Sequence, residues 1–156
     1  MSQSVHKGFT LIELIMTIVI IGVLSAVAIP KFSHLIDNSK ISSEQATASS
    51  IQSALEAVHG DWITSSCPFT WGNGQSSTTL NTNGYPSTLG TDDNHPFNLL
   101  LKNADNGDWV KGSDGYYRGP ATNGGAKDRN LANKPEGNDY WEYNATNGTF
   151  LLHEQN

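Results

Sequence analysis

Residues 9–29 read FTLIELIMTIVIIGVLSAVAI, and the two residues ahead of them are Lys7 and Gly8. As a helix this run of 21 residues is about 32 Å long, against a bilayer hydrocarbon core of ~30 Å. It is long enough to cross a membrane, with Lys7 held on the cytoplasmic side by the positive-inside rule. Hydropathy alone leaves three readings. Ala26-Val27-Ala28 has the small-x-small form of a signal-peptide cleavage site. The run also serves as a plain membrane anchor, or as a segment uncovered by removal of a short leader. Glu13 weighs between them. A carboxylate inside an apolar span costs about 2.5–3.5 kcal/mol near the bilayer centre and less near an interface. Neither a signal peptide nor an anchor has a use for that cost, whereas an ionisable group in such a segment marks function.

The order Lys7-Gly8-Phe9-Thr10-Leu11-Ile12-Glu13, the absence of charge behind it and Pro30 at its end resemble the N-terminal motif of type IV pilins and their type II secretion pseudopilin relatives. The resemblance covers residues 7–32. It implies that prepilin peptidase cuts after Gly8 and methylates the new terminus, Phe9, and that Glu13 is the glutamate that pairs with the N-terminal nitrogen of a neighbouring subunit. Methylation leaves that nitrogen charged, and a charge buried in a filament core needs a partner. Gly22 and Pro30 fall where the family carries a helix-interior glycine and a proline at the membrane exit. Glycine adds backbone freedom, and Pro30 removes a hydrogen bond and crowds the Ala26 carbonyl. The stretch Gly22 to Pro30 is therefore expected to be the softest part of the helix, extended or melted in an assembled filament.

Beyond Pro30 the helix is expected to continue to about Val58, with Gly60 as its stop. Lys31, Asp37, Lys40, Glu44 and Glu56 mark its wet faces. Ile41, Ala48, Ile51, Leu55, Val58 and Trp62 form one narrow apolar stripe. A helix from Phe9 to Val58 would be ~75 Å long, and only a membrane or a filament core shelters its first half. Residues 63–100 read as a polar loop with at most short strands, in the region that varies most among pilin relatives. From Asp108 the pattern turns to strands. Trp109-Val110-Lys111 and Tyr116-Tyr117-Arg118 form one hairpin. Asp139–Tyr143 and Thr149–His153 form a second, closed by the Asn147-Gly148 turn signal. Residues 119–137 read as a polar loop between them. The expected fold class is α+β: a long N-terminal helix, transmembrane in its first half, packed on a small antiparallel sheet of three to five strands. The domain plan is a leader (1–8), a membrane helix (9–30), its amphipathic continuation (31–60) and a β-rich head (61–156).

Composition narrows the function. The chain has 156 residues and a net charge of −6, and loss of the leader makes it one unit more negative. An acidic, aromatic-poor head does not suit nucleic acid, which demands a positive surface. A single cysteine, Cys67, forbids an intrachain disulfide. It reads as a half-buried small side chain. His6, His34, His59, His95 and His153 have no metal-ligand spacing. No nucleophile elbow or phosphate loop is present, so no enzyme and no cofactor are expected. Asp92, Asp93, Asp105, Asp108 and Asp114 sit in oxygen-rich loops, the chemistry calcium prefers. Some pseudopilins bind calcium in the head, and the resemblance makes these the weak candidates here. Asn144, in Glu142-Tyr143-Asn144-Ala145-Thr146, fits an extended bacterial glycosylation acceptor, although a turn explains it equally.

The resemblance implies a filament subunit: a homo-oligomeric helical polymer served by prepilin peptidase and an inner-membrane assembly platform. Before assembly the subunit would sit in the bacterial inner membrane with its head in the periplasm, and afterwards in a pilus or pseudopilus. Three functions stand open: pilus subunit, pseudopilin of type II secretion, and a secreted or membrane-anchored binding module. The missing disulfide leans to the second and the long polar loop to the first.

Overall fold

The computed structural model describes residues 8–91, 95–101, 109–112, 115–122 and 139–154. A single helix, α1, runs Leu11–Thr64. The chain divides into two compact units, Met1–Ser39 and Lys40–Asn156. In the first, no described residue of α1 is buried. Ile18, Val19, Ile20 and Ile21 are each more than half exposed, as are Val23, Leu24, Val27 and Ile29. An apolar surface of this size is stable only against lipid or other protein. Pro30 lies inside α1 and helical geometry continues through it.

The second unit builds its core on the other half of α1. Ala48, Ile51, Leu55 and Val58 are buried, Ile51 and Leu55 completely. Their 3-4-3 spacing places them on one face. Two short strands, β1 (Thr70–Trp71) and β2 (Gln75–Ser76), pair antiparallel, and a 3-10 turn follows at Ser77–Thr79. The main sheet has four antiparallel strands: β3 (Val110–Lys111), β4 (Tyr116–Arg118), β5 (Tyr140–Asn144) and β6 (Thr149–His153), in that order. Register pairs Tyr117 with Trp141, Trp141 with Leu152 and Tyr143 with Phe150. With period-two alternation these side chains share one face. Phe97 sits among them, with ring centroids 5.1 Å from Trp109, 5.2 Å from Tyr117 and 5.9 Å from Phe150. Offset and edge-on aromatic pairs of this kind add to simple burial.

Both expected hairpins are present. The Asn144–Thr149 turn closes with Gly148 at φ +68°, its N–H donating to the Asn144 carbonyl at 2.9 Å. A side chain on Gly148 would strike the Tyr85 ring, so glycine is required there twice over.

Four expectations are corrected. Glu44 does not mark a wet face: it is 3 % exposed, because it stands four residues before Ala48 and shares the core-facing stripe. Ile41 and Trp62, placed in that stripe, are 46 % and 38 % exposed; they lie at its ends, where packing stops. The helix does not stop at Gly60. Glycine lowers helix propensity without forbidding it, and the last turn is closed by Thr64 Oγ1 donating to the Gly60 carbonyl at 2.9 Å. Cys67 is exposed, not half-buried. It precedes Pro68, which favours extended backbone, and Ser65, Ser66 and Pro68 around it are exposed too.

Candidate functional site

Phe9 is 93 % exposed at the head of α1. Thr10 and Glu13 form a reciprocal cap. Glu13 Oε2 accepts from the Thr10 backbone N–H and from Thr10 Oγ1, both at 2.8 Å, and Thr10 Oγ1 accepts from the Glu13 N–H at 3.3 Å. This is the Thr-x-x-Glu capping box, which satisfies two orphan donors of the first turn. The negative carboxylate also complements the positive end of the helix dipole. Glu13 is therefore anchored to its own helix end while remaining at the surface beside Phe9.

The other sequence-derived residues are placed as follows. Gly22 has open space where a Cβ would stand, so α1 is narrow there. Pro30 leaves the Ala26 carbonyl without its usual i+4 donor. Lys7 and the aspartates Asp92, Asp93, Asp105, Asp108 and Asp114 lie outside the described residues. Asn144 ends β5 and is exposed. Its Oδ1 accepts from the Thr146 N–H at 2.9 Å, a local turn bond.

Sequence reading missed a polar centre in the head. The Glu44 carboxylate accepts three hydrogen bonds: from the Ala121 N–H at 2.6 Å, the Thr122 N–H at 3.1 Å and Trp141 Nε1 at 2.5 Å. It ties α1 to β5 and to the segment after β4. Gly119 lies against it; a Cβ there would fall 2.5 Å from the carboxylate. The 4-3-4-3 spacing of Glu44 with Ala48, Ile51, Leu55 and Val58 was the available signal. A second missed feature is an aromatic stack at the far end of α1. The His59 ring lies parallel to Tyr85 at 4.4 Å and to Trp62 at 5.8 Å. On the opposite face of the sheet, His153 Nε2 is 3.0 Å from Glu142.

Two buried phenols differ in satisfaction. Tyr143 donates to the Pro86 carbonyl at 2.7 Å, while the Tyr117 hydroxyl has no partner in hydrogen-bonding geometry. Burial pushes both well above the ordinary phenol range. For Tyr117 the nearby Leu89 backbone and Thr88 hydroxyl offset only part of that effect.

A helix long and apolar enough to cross a membrane, capped at its start by Glu13, and a helix-on-sheet head make this an α+β protein. Residues 4–29 match the prokaryotic N-terminal methylation motif. The type IV narrow pilus major component PilA5 of Thermus thermophilus is 36 % identical over 97 residues, 53 % of this chain and 84 % of that protein. The type IV major fimbrial protein FimA of Dichelobacter nodosus is 41 % identical over 54 residues, 35 % of each chain. A fimbrial protein of Neisseria meningitidis is 37 % identical over 63 residues, 38 % of this chain and 37 % of that one. No solved structure matches. The chain belongs to the type IV pilin family.

Proposed function

We propose that this chain is a structural subunit of a type IV pilus-like filament, made as a precursor, cut after Gly8 by prepilin peptidase, methylated at Phe9 and polymerised through the first half of α1. The observation that carries this reading is Glu13. It is the one acidic residue in the apolar segment, it stands one helical turn from Thr10, and it faces outward beside Phe9. After cleavage, the Phe9 nitrogen is a cation at the end of an apolar rod. Burying that rod in a bundle of identical helices leaves the cation in need of an anion, and Glu13 of a neighbouring copy supplies it. Pairing fixes the axial register, while the exposed isoleucines, leucines and valines supply the contact area. Leaving the membrane is opposed by hydrophobic transfer, so extraction is the work of an assembly platform in the inner membrane.

The names of the relatives, which are pilus and fimbrial components, favour a pilus over a secretion pseudopilus. The test is Glu13→Ala in the native host. The reading expects a cleaved, membrane-held subunit and a loss of sheared fibres. Normal fibre yield from this variant would contradict it.

A further inference from the structure

A groove of about 250 Å³ opens beside the Glu44 centre. Its apolar walls are Ile41, Ala121, Trp141 and Leu152, and its acidic edge is Asp139 and Glu154. Ile41 and Leu152 are large apolar side chains left 46 % and 37 % exposed. Glu44 also lines the groove, but its carboxylate is buried and already held by three donors. The exposed Glu154 carboxylate, with the negative charge of Asp139 beside it, is what the groove offers a cation. Apolar walls with an acid at the mouth suit a lysine, whose methylene stem covers hydrophobic surface while its ammonium stays at the rim.

The chain itself carries a matching surface. Among the described residues, Lys31 is the only lysine or arginine that is exposed. Lys40 is half-buried, Arg118 is buried, and Lys111 donates to Thr88 Oγ1 and the Gly90 carbonyl. Leu35, 61 % exposed, stands four residues on from Lys31 and so shares its helix face. We propose that the groove receives Lys31 and Leu35 of a second copy of this chain, with Lys31 at the Glu154 edge and Leu35 against Leu152 and Ile41. This assignment rests on the filament reading above and adds to it a contact between one subunit's head and another's helix.

The test co-expresses two chains in the native host, one carrying Leu35→Cys and the other Leu152→Cys, both with Cys67→Ser so that each has a single thiol. Sheared filaments are oxidised and digested, and the disulfide-linked peptides are identified by mass. The expected result is a linked pair that joins the Leu35→Cys peptide of one chain to the Leu152→Cys peptide of the other, the mixed dimer, which only a contact between copies yields. Separately, Glu154→Lys is expected to lower filament yield about two- to fivefold, the range of an exposed ion pair, and addition of Lys31→Glu to restore it. Intact filaments with no mixed dimer, or a yield that stays low in the swapped pair, overturn the groove assignment alone. Absence of filaments from the unmodified chain overturns the filament reading beneath it.

Discussion

Trp141 and Glu44 are 97 residues apart in sequence and joined by a hydrogen bond of 2.5 Å from the indole Nε1 to Oε1. The same carboxylate holds the Ala121 and Thr122 N–H groups. One buried side chain on α1 thus ties β5, an inner strand of the sheet, to the start of the segment that follows β4. A carboxylate 3 % exposed is tolerated because each donor it accepts replaces lost water.

Replacing Glu44 with alanine strands one buried donor, Trp141 Nε1, and two part-buried N–H groups, those of Ala121 and Thr122. An unsatisfied buried group costs about 1–3 kcal/mol, and the part-buried pair can turn to water, so a loss of roughly 2–3 kcal/mol is expected. Glu44→Gln keeps one acceptor oxygen and is expected to lose about half as much. Urea unfolding of the full-length chain in detergent, followed by tryptophan fluorescence, measures both.

Gly119→Ala places a methyl group against the same carboxylate. The variant is expected to lose about 1–3 kcal/mol by overpacking. Its effect should largely vanish in a Glu44→Ala background, where the space is empty. A double-mutant cycle is therefore expected to give a coupling above ~0.5 kcal/mol; additive losses would separate Gly119 from the Glu44 centre.

The two phenols predict opposite outcomes. Tyr117→Phe removes an unpartnered hydroxyl and keeps the ring between Phe97 and Phe150, so stability is expected to hold or rise. Tyr143→Phe loses the bond to Pro86 and is expected to cost about 1 kcal/mol. Both hydroxyls ionise later in the folded chain than in the unfolded one. Their contribution is complete below the ordinary phenol pKa of about 10 and falls as pH rises through it, since the unfolded chain then releases protons first. Alkaline unfolding should begin above that pH and shift upward in Tyr117→Phe.

At the proposed cleavage site, Gly8→Ala is expected to slow processing modestly, and Gly8→Leu to stop it. Immunoblots separating precursor from mature chain read this directly. A fully processed Gly8→Leu variant would remove glycine from the cleavage account.

What the sequence made legible was periodic or punctuated. Alternation marked β5 and β6, Asn147-Gly148 marked their turn, and the spacing of Ala48, Ile51, Leu55 and Val58 marked the buried face of α1. What it hid depended on partners distant in the chain. Glu44 looks solvated by residue type, and only the donors from Ala121, Thr122 and Trp141 make its burial tolerable. Helix continuation past Gly60 was hidden because glycine lowers helix propensity by roughly 1 kcal/mol, which tertiary packing at Val58 and His59 overrides. Cys67 lies in an exposed stretch, Ser65 to Pro68, between α1 and β1, which residue-type averages obscure. At the N-terminus the order of residues 7–13 carried the family resemblance, in line with the methylation-motif match over residues 4–29, and the structure added the Thr10 cap that holds Glu13.

The measurement that tests the central claim most directly is the intact mass and N-terminal peptide of the protein taken from a membrane fraction. The account predicts a chain that starts at Phe9 and carries one added methyl group on its terminal nitrogen. A chain starting at Ile29, or still at Met1, would contradict it and return the protein to a secreted or simply anchored module.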